Sequence, residues 1–173
     1  MSLQGNGLRL EPQTARHAPA MYALLRDPAL YEFLDQAPPA SEAALRERFT
    51  RLQTRRSPDG SQHWLNWVIR LADGRLAGYV QATVYPDHTA NIAYVLGHAF
   101  WGRGIALEAT RCLLDELPRG DKVRQAFATV DQRNARSLRL LRRLGFTRLV
   151  DNWPLHAAPQ PGDAVLARTL HAT

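Results

Sequence analysis

The chain has a single cysteine, Cys112, in 173 residues, so no disulfide can form within it. Cys112 sits among apolar residues of a helical stretch, where a thiol serves as a small hydrophobe. A nucleophilic cysteine belongs in a turn or at a helix start, where its pKa can fall. Lysine is equally scarce. Lys122 is the only one, and every other basic residue of the 22 is arginine. No apolar run approaches the roughly 20 residues of a membrane helix, so no membrane partner is expected. The start, Met1 to Gly7, lacks the charged and apolar regions of a signal peptide, and a cytoplasmic location is expected. The histidines show no His-x-x-x-His spacing, so no metal is expected. Neither a repeat nor a low-complexity linker interrupts the chain, which reads as one domain over 1–173.

What is present is ordinary for a globular fold: 45% hydrophobic and 22% charged residues, with a net charge of +6. The arginines are scattered rather than blocked together, which fits a compositional bias better than a nucleic-acid site. No DNA partner is expected, while a basic surface remains compatible with an acidic partner such as a ribosome.

Leu8-Arg9-Leu10 reads as a first short strand. Thr14 is placed to cap a helix reaching about Arg26, ended by Pro28. Ser41 caps a second helix on which Leu45, Phe49 and Leu52 recur at helical spacing. Three strand-like runs follow, Trp64 to Leu71, Leu76 to Tyr85 and Ala90 to Leu96, the first two joined by the hairpin turn Ala72-Asp73-Gly74-Arg75. A helix then runs to about Leu117, stopped by Pro118 and Gly120. Val123 to Val130 is a strand, Asn134 caps a helix to Leu144, and Gly145 is its C′ glycine. Strands at Phe146 to Val150 and Ala164 to Leu170 enclose a Pro-rich loop. A meander followed by βαβα connections implies an α/β fold: a mixed, mostly antiparallel sheet of about seven strands with helices on both faces.

The most informative stretch runs from Val95-Leu96 through Gly97-His98-Ala99-Phe100-Trp101-Gly102-Arg103-Gly104 into Ile105-Ala106-Leu107-Glu108. An apolar strand enters a glycine-bearing turn that opens straight into a helix. The first N–H groups of a helix have no internal partner, and its dipole favours an anion there. Glycines one residue apart let a phosphate reach the backbone. Downstream, a second element follows a strand: Asp131-Gln132-Arg133-Asn134-Ala135-Arg136-Ser137, then a helix ending at Leu144-Gly145-Phe146.

Together these two elements resemble the GNAT acyltransferase superfamily. Gly104-Ile105-Ala106 is similar to the Gly-x-Gly/Ala part of its pyrophosphate loop, with Trp101 in place of the usual Gln or Arg. The Trp-Gly-Arg-Gly-x-Ala-x-Glu-Ala form, and Asn134-x-x-Ser137 before Leu144-Gly145-Phe146, resemble the branch of ribosomal-protein N-terminal acetyltransferases. The resemblance implies acetyl-CoA as donor and an amine acceptor, either a protein N-terminus (ribosomal or other) or a small molecule. It implies that the amides from Gly102 to Leu107 receive the pyrophosphate, helped by Arg103, and that Val95 and Leu96 pair with pantetheine and hold the thioester oxyanion. Arg139 and Arg143 are candidates for the adenosine phosphate. Asn134 would bond the cofactor, and Ser137 would protonate the leaving sulfur. Read from the residues alone, Asn134 is equally an N-cap and Ser137 a first-turn residue. The helical Tyr that many relatives use as acid is Leu141 here.

The general base is not legible. The strand motif Glu-x-Gly-Tyr of many relatives reads Asn91-Ile92-Ala93-Tyr94, and a carboxamide takes no proton at neutral pH. His63, Asp87, His88 and His98 lie near strand ends, and a water relay from backbone carbonyls is an alternative. Trp64, Trp67 and Tyr79 read as sheet packing or acceptor walls. Segments 26–40 and 151–162 are expected to frame the acceptor, with Asp35 available to an ammonium. Three readings follow: an N-acetyltransferase, a non-catalytic acyl-CoA-binding or regulatory module on the same fold, and an RNA- or ribosome-binding domain. The protein is expected to be a monomer or homodimer.

Overall fold

The computed structural model of the protein describes residues 1–149, 156 and 158–171. Within these residues the strands are β1 (Leu3–Gly5), β2 (Leu8–Pro12), β3 (His63–Leu71), β4 (Leu76–Val84), β5 (Thr89–Leu96), β6 (Gln125–Asp131), β7 (Thr147–Arg148) and β8 (Asp163–Thr169). The helices are α1 (Ala18–Leu25), α2 (Glu42–Leu52), α3 (Ile105–Gly120) and α4 (Ala135–Arg143). One eight-stranded sheet has the order β1-β2-β3-β4-β5-β6-β8-β7, and β5–β6 is its parallel pair.

The mixed α/β sheet is as the sequence implies, with one strand more than expected. The extra strand is β1, which pairs with β2 through Leu3↔Leu10. Three residues are too short to show a period-2 pattern. Thr14 caps only a 3₁₀ turn over Ala15–His17, and α1 starts at Ala18. Pro19 lies at the start of α1; a helix continuous from Thr14 would need the N–H that proline lacks. Ser41 caps α2 as expected, accepting from the Ala44 N–H at 3.1 Å. Helix α3 passes Pro118 and ends at Gly120. In the last turn the missing N–H costs a single bond, and the Asp121 N–H still reaches the Leu117 carbonyl. The strand expected over 146–150 is reduced to Thr147–Arg148, and Val150 lies outside the described residues.

Alternation gives β3, β4 and β5 two buried faces. Val68, Tyr79 and Val95 pack against Met21 and Leu25 of α1 and Leu45 and Phe49 of α2. Ile69, Val80, Ile92 and Leu96 pack on the other face, with Ala109, Leu113 and Leu117 of α3 and Leu141 of α4. Each such fully buried aliphatic side chain stabilises the fold by about 1.5–3 kcal/mol. Strand pairing divides the sheet into two halves. Strand β4 holds β5 along its length, from Val84↔Ala90 to Gly78↔Leu96. Strand β8 holds β6 from Gln125↔Thr169 to Asp131↔Asp163. Between the halves, β5 and β6 pair only from Thr89↔Gln125 to Asn91↔Phe127 and then part. At the far end of β5 the backbones of β4 and β5 crowd: a Cβ on Gly78 would lie 2.1 Å from the Val95 carbonyl oxygen.

One polar cluster ties the edge of the sheet. The Glu11 carboxylate binds Arg70 Nε at 2.8 Å and also Arg9, which stand opposite each other on β2 and β3. The Arg70 hydrogen bond, then that of Arg9, lowers the Glu11 pKa to about 2, against the opposing effect of burial. A carboxylate whose folded pKa is depressed stabilises the fold above its unfolded pKa of about 4.3, and that stability is lost as pH falls toward 2. Glu11→Gln should therefore lower Tm at pH 6 and make little difference at pH 2.5. Thermal melts of both proteins across this range check it; a gap independent of pH would show that the charge is not what joins β2 to β3.

Candidate active site

The parting of β5 and β6 opens a cavity of about 450 Å³. The Gly97 N–H bonds the Ala77 carbonyl, so the odd-numbered residues of β5 direct their peptide groups to β4. The peptide groups of Ile92, Tyr94 and Leu96 consequently face the gap. Beyond Asn91 no β6 residue pairs with them. They form a strand edge inside the sheet, able to pair with an extended ligand carrying amides. Val95 lines the cavity, but its peptide groups belong to β4 and its side chain to the core beneath α1 and α2.

The glycine turn closes one end. Gly102 and Gly104 take left-handed φ values of 73° and 74°, which L side chains avoid. A Cβ at either would meet nothing within 4 Å, so the space over the turn is open. Gly104 is the N-cap of α3, and its carbonyl accepts from the Glu108 N–H at 3.0 Å. The N–H groups of Ile105, Ala106 and Leu107 are left without intrahelical acceptors. Arg103, Arg136, Arg139 and Arg143 line the same cavity. Four guanidinium groups and a free helix N-terminus form a site for a polyanion. Glu108 adds no opposing charge at the turn: its carboxylate accepts from the Asn6 N–H at 2.8 Å and pairs with Arg111. Trp101 donates its indole N–H to the Leu96 carbonyl at 2.9 Å, and the Arg136 guanidinium lies 3.8 Å from its ring centroid.

Across the gap, Asn134 caps α4 by accepting the Ser137 N–H on Oδ1 at 3.0 Å. This fixes Ser137 at the cavity wall. The Ser137 hydroxyl is 2.7 Å from the Tyr94 hydroxyl. Burial pushes the Tyr94 phenol up to about 12, so it stays protonated near neutral pH. Tyr94 was legible only as a strand residue. Its alternation with Ile92 and Leu96 could have placed it on the face of α4. Leu141 has no exposure and belongs to the core.

Asn91 donates its carboxamide N–H to the Tyr85 hydroxyl at 3.3 Å. None of the four ionisable residues expected near strand ends lines the cavity. His63 pairs with Asp121 at 2.8 Å, His88 holds a left-handed turn with φ 64°, and His98 lies edge-on to Trp101 at 4.4 Å between centroids. Asp87 instead pairs with a residue that sequence reasoning passed over, His156, whose Nε2 is 2.9 Å from Asp87 Oδ2. The signal was weak: one histidine in a loop long in proline. Half of the 151–162 acceptor loop lies outside the described residues. From the other proposed frame, Glu32, Phe33 and Leu34 line the cavity, while Asp35 is exposed and does not. Tyr79 is buried, with its phenol pushed up to about 12, and is packing rather than wall. Burial also raises the Cys112 thiol, consistent with an inert hydrophobe.

Residues 7–147 match the family described as Acetyltransferase (GNAT) domain. No curated protein matches the chain. A solved structure from T. thermophilus, described as an acetyltransferase, is 30% identical over 97% of this chain and 88% of its own, with TM-score 0.73. The RimL ribosomal L7/L12 α-N-protein acetyltransferase in complex with coenzyme A is 21% identical over all of both chains, with TM-score 0.83. An acetyltransferase from Salmonella typhimurium that modifies the N-terminal serine of ribosomal protein L7/L12 is 23% identical over 96% of each chain, with TM-score 0.78. At those identities the two ribosomal enzymes attest the fold. The family match and the divided sheet agree: the chain belongs to the GNAT acetyltransferase family.

Proposed function

We propose that the protein moves the acetyl group of acetyl-CoA to a primary amine by direct attack on the thioester. The observation that carries this reading is the continuous track inside the sheet. A strand edge open at Ile92 and Tyr94, with the Leu96 N–H beyond them, leads from a free helix N-terminus to a hydroxyl pair at Tyr94 and Ser137. Acetyl-CoA has the matching order of parts: a pyrophosphate, two pantetheine amides and a thioester.

The pyrophosphate meets the amides of 102–107 and Arg103. Arg139 and Arg143 remain for the adenosine phosphate. Pantetheine amides bond the edge of β5, and the N–H of Leu96 or Tyr94 stands ready for the thioester oxyanion. Nitrogen attacks the carbonyl carbon, the C–S bond breaks, and sulfur takes the proton of the Ser137 hydroxyl. Because Tyr94 is held neutral by burial, it can donate to Ser137 Oγ and leave the serine proton free to face sulfur. With Asn134 Oδ1 committed to the cap, its amide N–H groups are what it offers a cofactor. The acceptor is a protein N-terminus or a small amine; the ribosomal enzymes of the same fold make an N-terminus the first to test.

A thiol-release assay with acetyl-CoA and a panel of amines tests the reaction, alongside a thermal shift with CoA. A shift without thiol release would establish a non-catalytic binder instead; no shift would remove the donor site. Gly104→Val should weaken acetyl-CoA binding tenfold or more, because a branched side chain would fill the open space above the turn. Backbone strain of about 1–2 kcal/mol should cost only a few degrees of Tm. An unchanged Kd by calorimetry would sink the phosphate site. Ser137→Ala should lower kcat by about 10²-fold, at the lower end of acid catalysis, with the acetyl-CoA KM little changed. Tyr94→Phe should lower kcat less, and the double variant should be no slower than Ser137→Ala. Additive losses would show that Tyr94 does not act through Ser137.

A further inference from the structure

We infer that His156, oriented by Asp87, is the general base that draws the proton from the acceptor amine. This rests on the acetyl-transfer reading and supplies the group that the strand lacks at Asn91.

The placement comes from the sheet. Helices α1 and α2 cover the face of β3–β5 at Val68, Leu76, Tyr79 and Val95. Along the same face toward the β4–β5 turn, Asn66, Gln81, Thr83 and Asn91 are half-buried and polar. This shelf adjoins the point where β5 and β6 part, since Asn91 belongs to their last pair. Tyr85 continues the row, and its hydroxyl accepts from Asn91. The His156 ring stacks on the Tyr85 ring, with centroids 3.5 Å apart and planes at 12°. His156 thus stands at the edge of the shelf, one aromatic ring from the residue that marks the apex of the gap.

Its orientation suits a base. Asp87 Oδ1 accepts from the N–H and the hydroxyl of Thr89, at 3.0 and 2.7 Å. Those bonds and His156 hold the Asp87 carboxyl below the usual carboxylate range, against the burial that would raise it. A fixed, charged Oδ2 lies 2.9 Å from His156 Nε2 and selects the tautomer that carries hydrogen on Nε2. The lone pair is then on Nδ1, which makes no hydrogen bond to any described residue. Asp87 and Tyr85 are the ionisable groups in contact with the ring among the described residues. A carboxylate behind an imidazole stabilises the imidazolium that forms when a proton arrives. In the reaction the amine nitrogen forms its bond to the acetyl carbon, and its proton passes to Nδ1 along a relay of waters over the polar shelf, since His156 stands beside Thr89 and outside the cavity lining. Sulfur leaves with the Ser137 proton, so the two proton transfers lie on opposite faces of the sheet.

The test uses the full chain and an acceptor found by thiol release. The kcat/KM for the amine is measured from pH 5.5 to 9.5 for the wild type, His156→Gln and Asp87→Asn. Two acceptors of different amine pKa separate an enzyme limb from an acceptor limb. The wild type should show a rising limb that does not move with the acceptor. His156→Gln should lose that limb and 10²–10³-fold in kcat/KM, keep its acetyl-CoA Kd, and recover in part with added imidazole. Asp87→Asn should lower the plateau, because the imidazole loses the carboxylate that fixes its tautomer. A His156→Gln enzyme with the wild-type limb and rate would overturn the base while leaving acetyl transfer intact. Equal losses from both variants with no change in either pH limb would reduce the pair to a structural tie and overturn it too. No thiol release from the wild type with any amine would remove the transfer reading itself, and the base with it.

Discussion

The central cavity depends on a short ladder. Strands β5 and β6 share a parallel register of only three residues before separating. A parallel pair that continued would bury its peptide groups in a seamless sheet and leave no cavity. The separation persists because each strand has a stronger antiparallel commitment on its other side, β5 to β4 and β6 to β8. The helices reinforce it. The α1–α2 layer grips β3–β5, and α3 with α4 grips the opposite face. Prising β5 back toward β6 would cost buried contacts in both layers.

The gap presents mostly backbone. Peptide groups of β5, amides at the start of α3 and the capped first turn of α4 form much of its wall. Trp101 closes one end of the gap. Its indole satisfies the Leu96 carbonyl and its ring carries Arg136, a cation–π contact of about 0.5–1 kcal/mol at an exposed site. The stacking holds the Arg136 guanidinium beside the glycine turn.

Much of this was legible before the structure. The glycines, the Asn134 cap and the α/β order follow from local rules: positive φ, orphan N–H groups and hydrophobic period. Those rules act within a few residues, which is why Ser41, Gly104 and Asn134 sit where expected. Tyr94 and His156 escaped because their partners are distant in sequence. The phenol meets a serine 43 positions away, and the imidazole meets an aspartate 69 positions away. No periodicity encodes such a meeting; only the closed sheet does. Boundaries slipped where proline intervened, delaying α1 at Pro19 yet failing to stop α3 at Pro118. Both follow from where a missing N–H falls within its helix.

The gap between β5 and β6 is also an open strand edge, and such edges invite foreign strands to dock and seed aggregation. Here the invitation is narrow. The free run is only a few residues long, it lies between helical layers, and its last carbonyl is taken by the Trp101 indole. A peptide seeking to extend the sheet would find its final acceptor occupied. Trp101 therefore also works as a stopper, keeping the open edge from becoming an assembly edge.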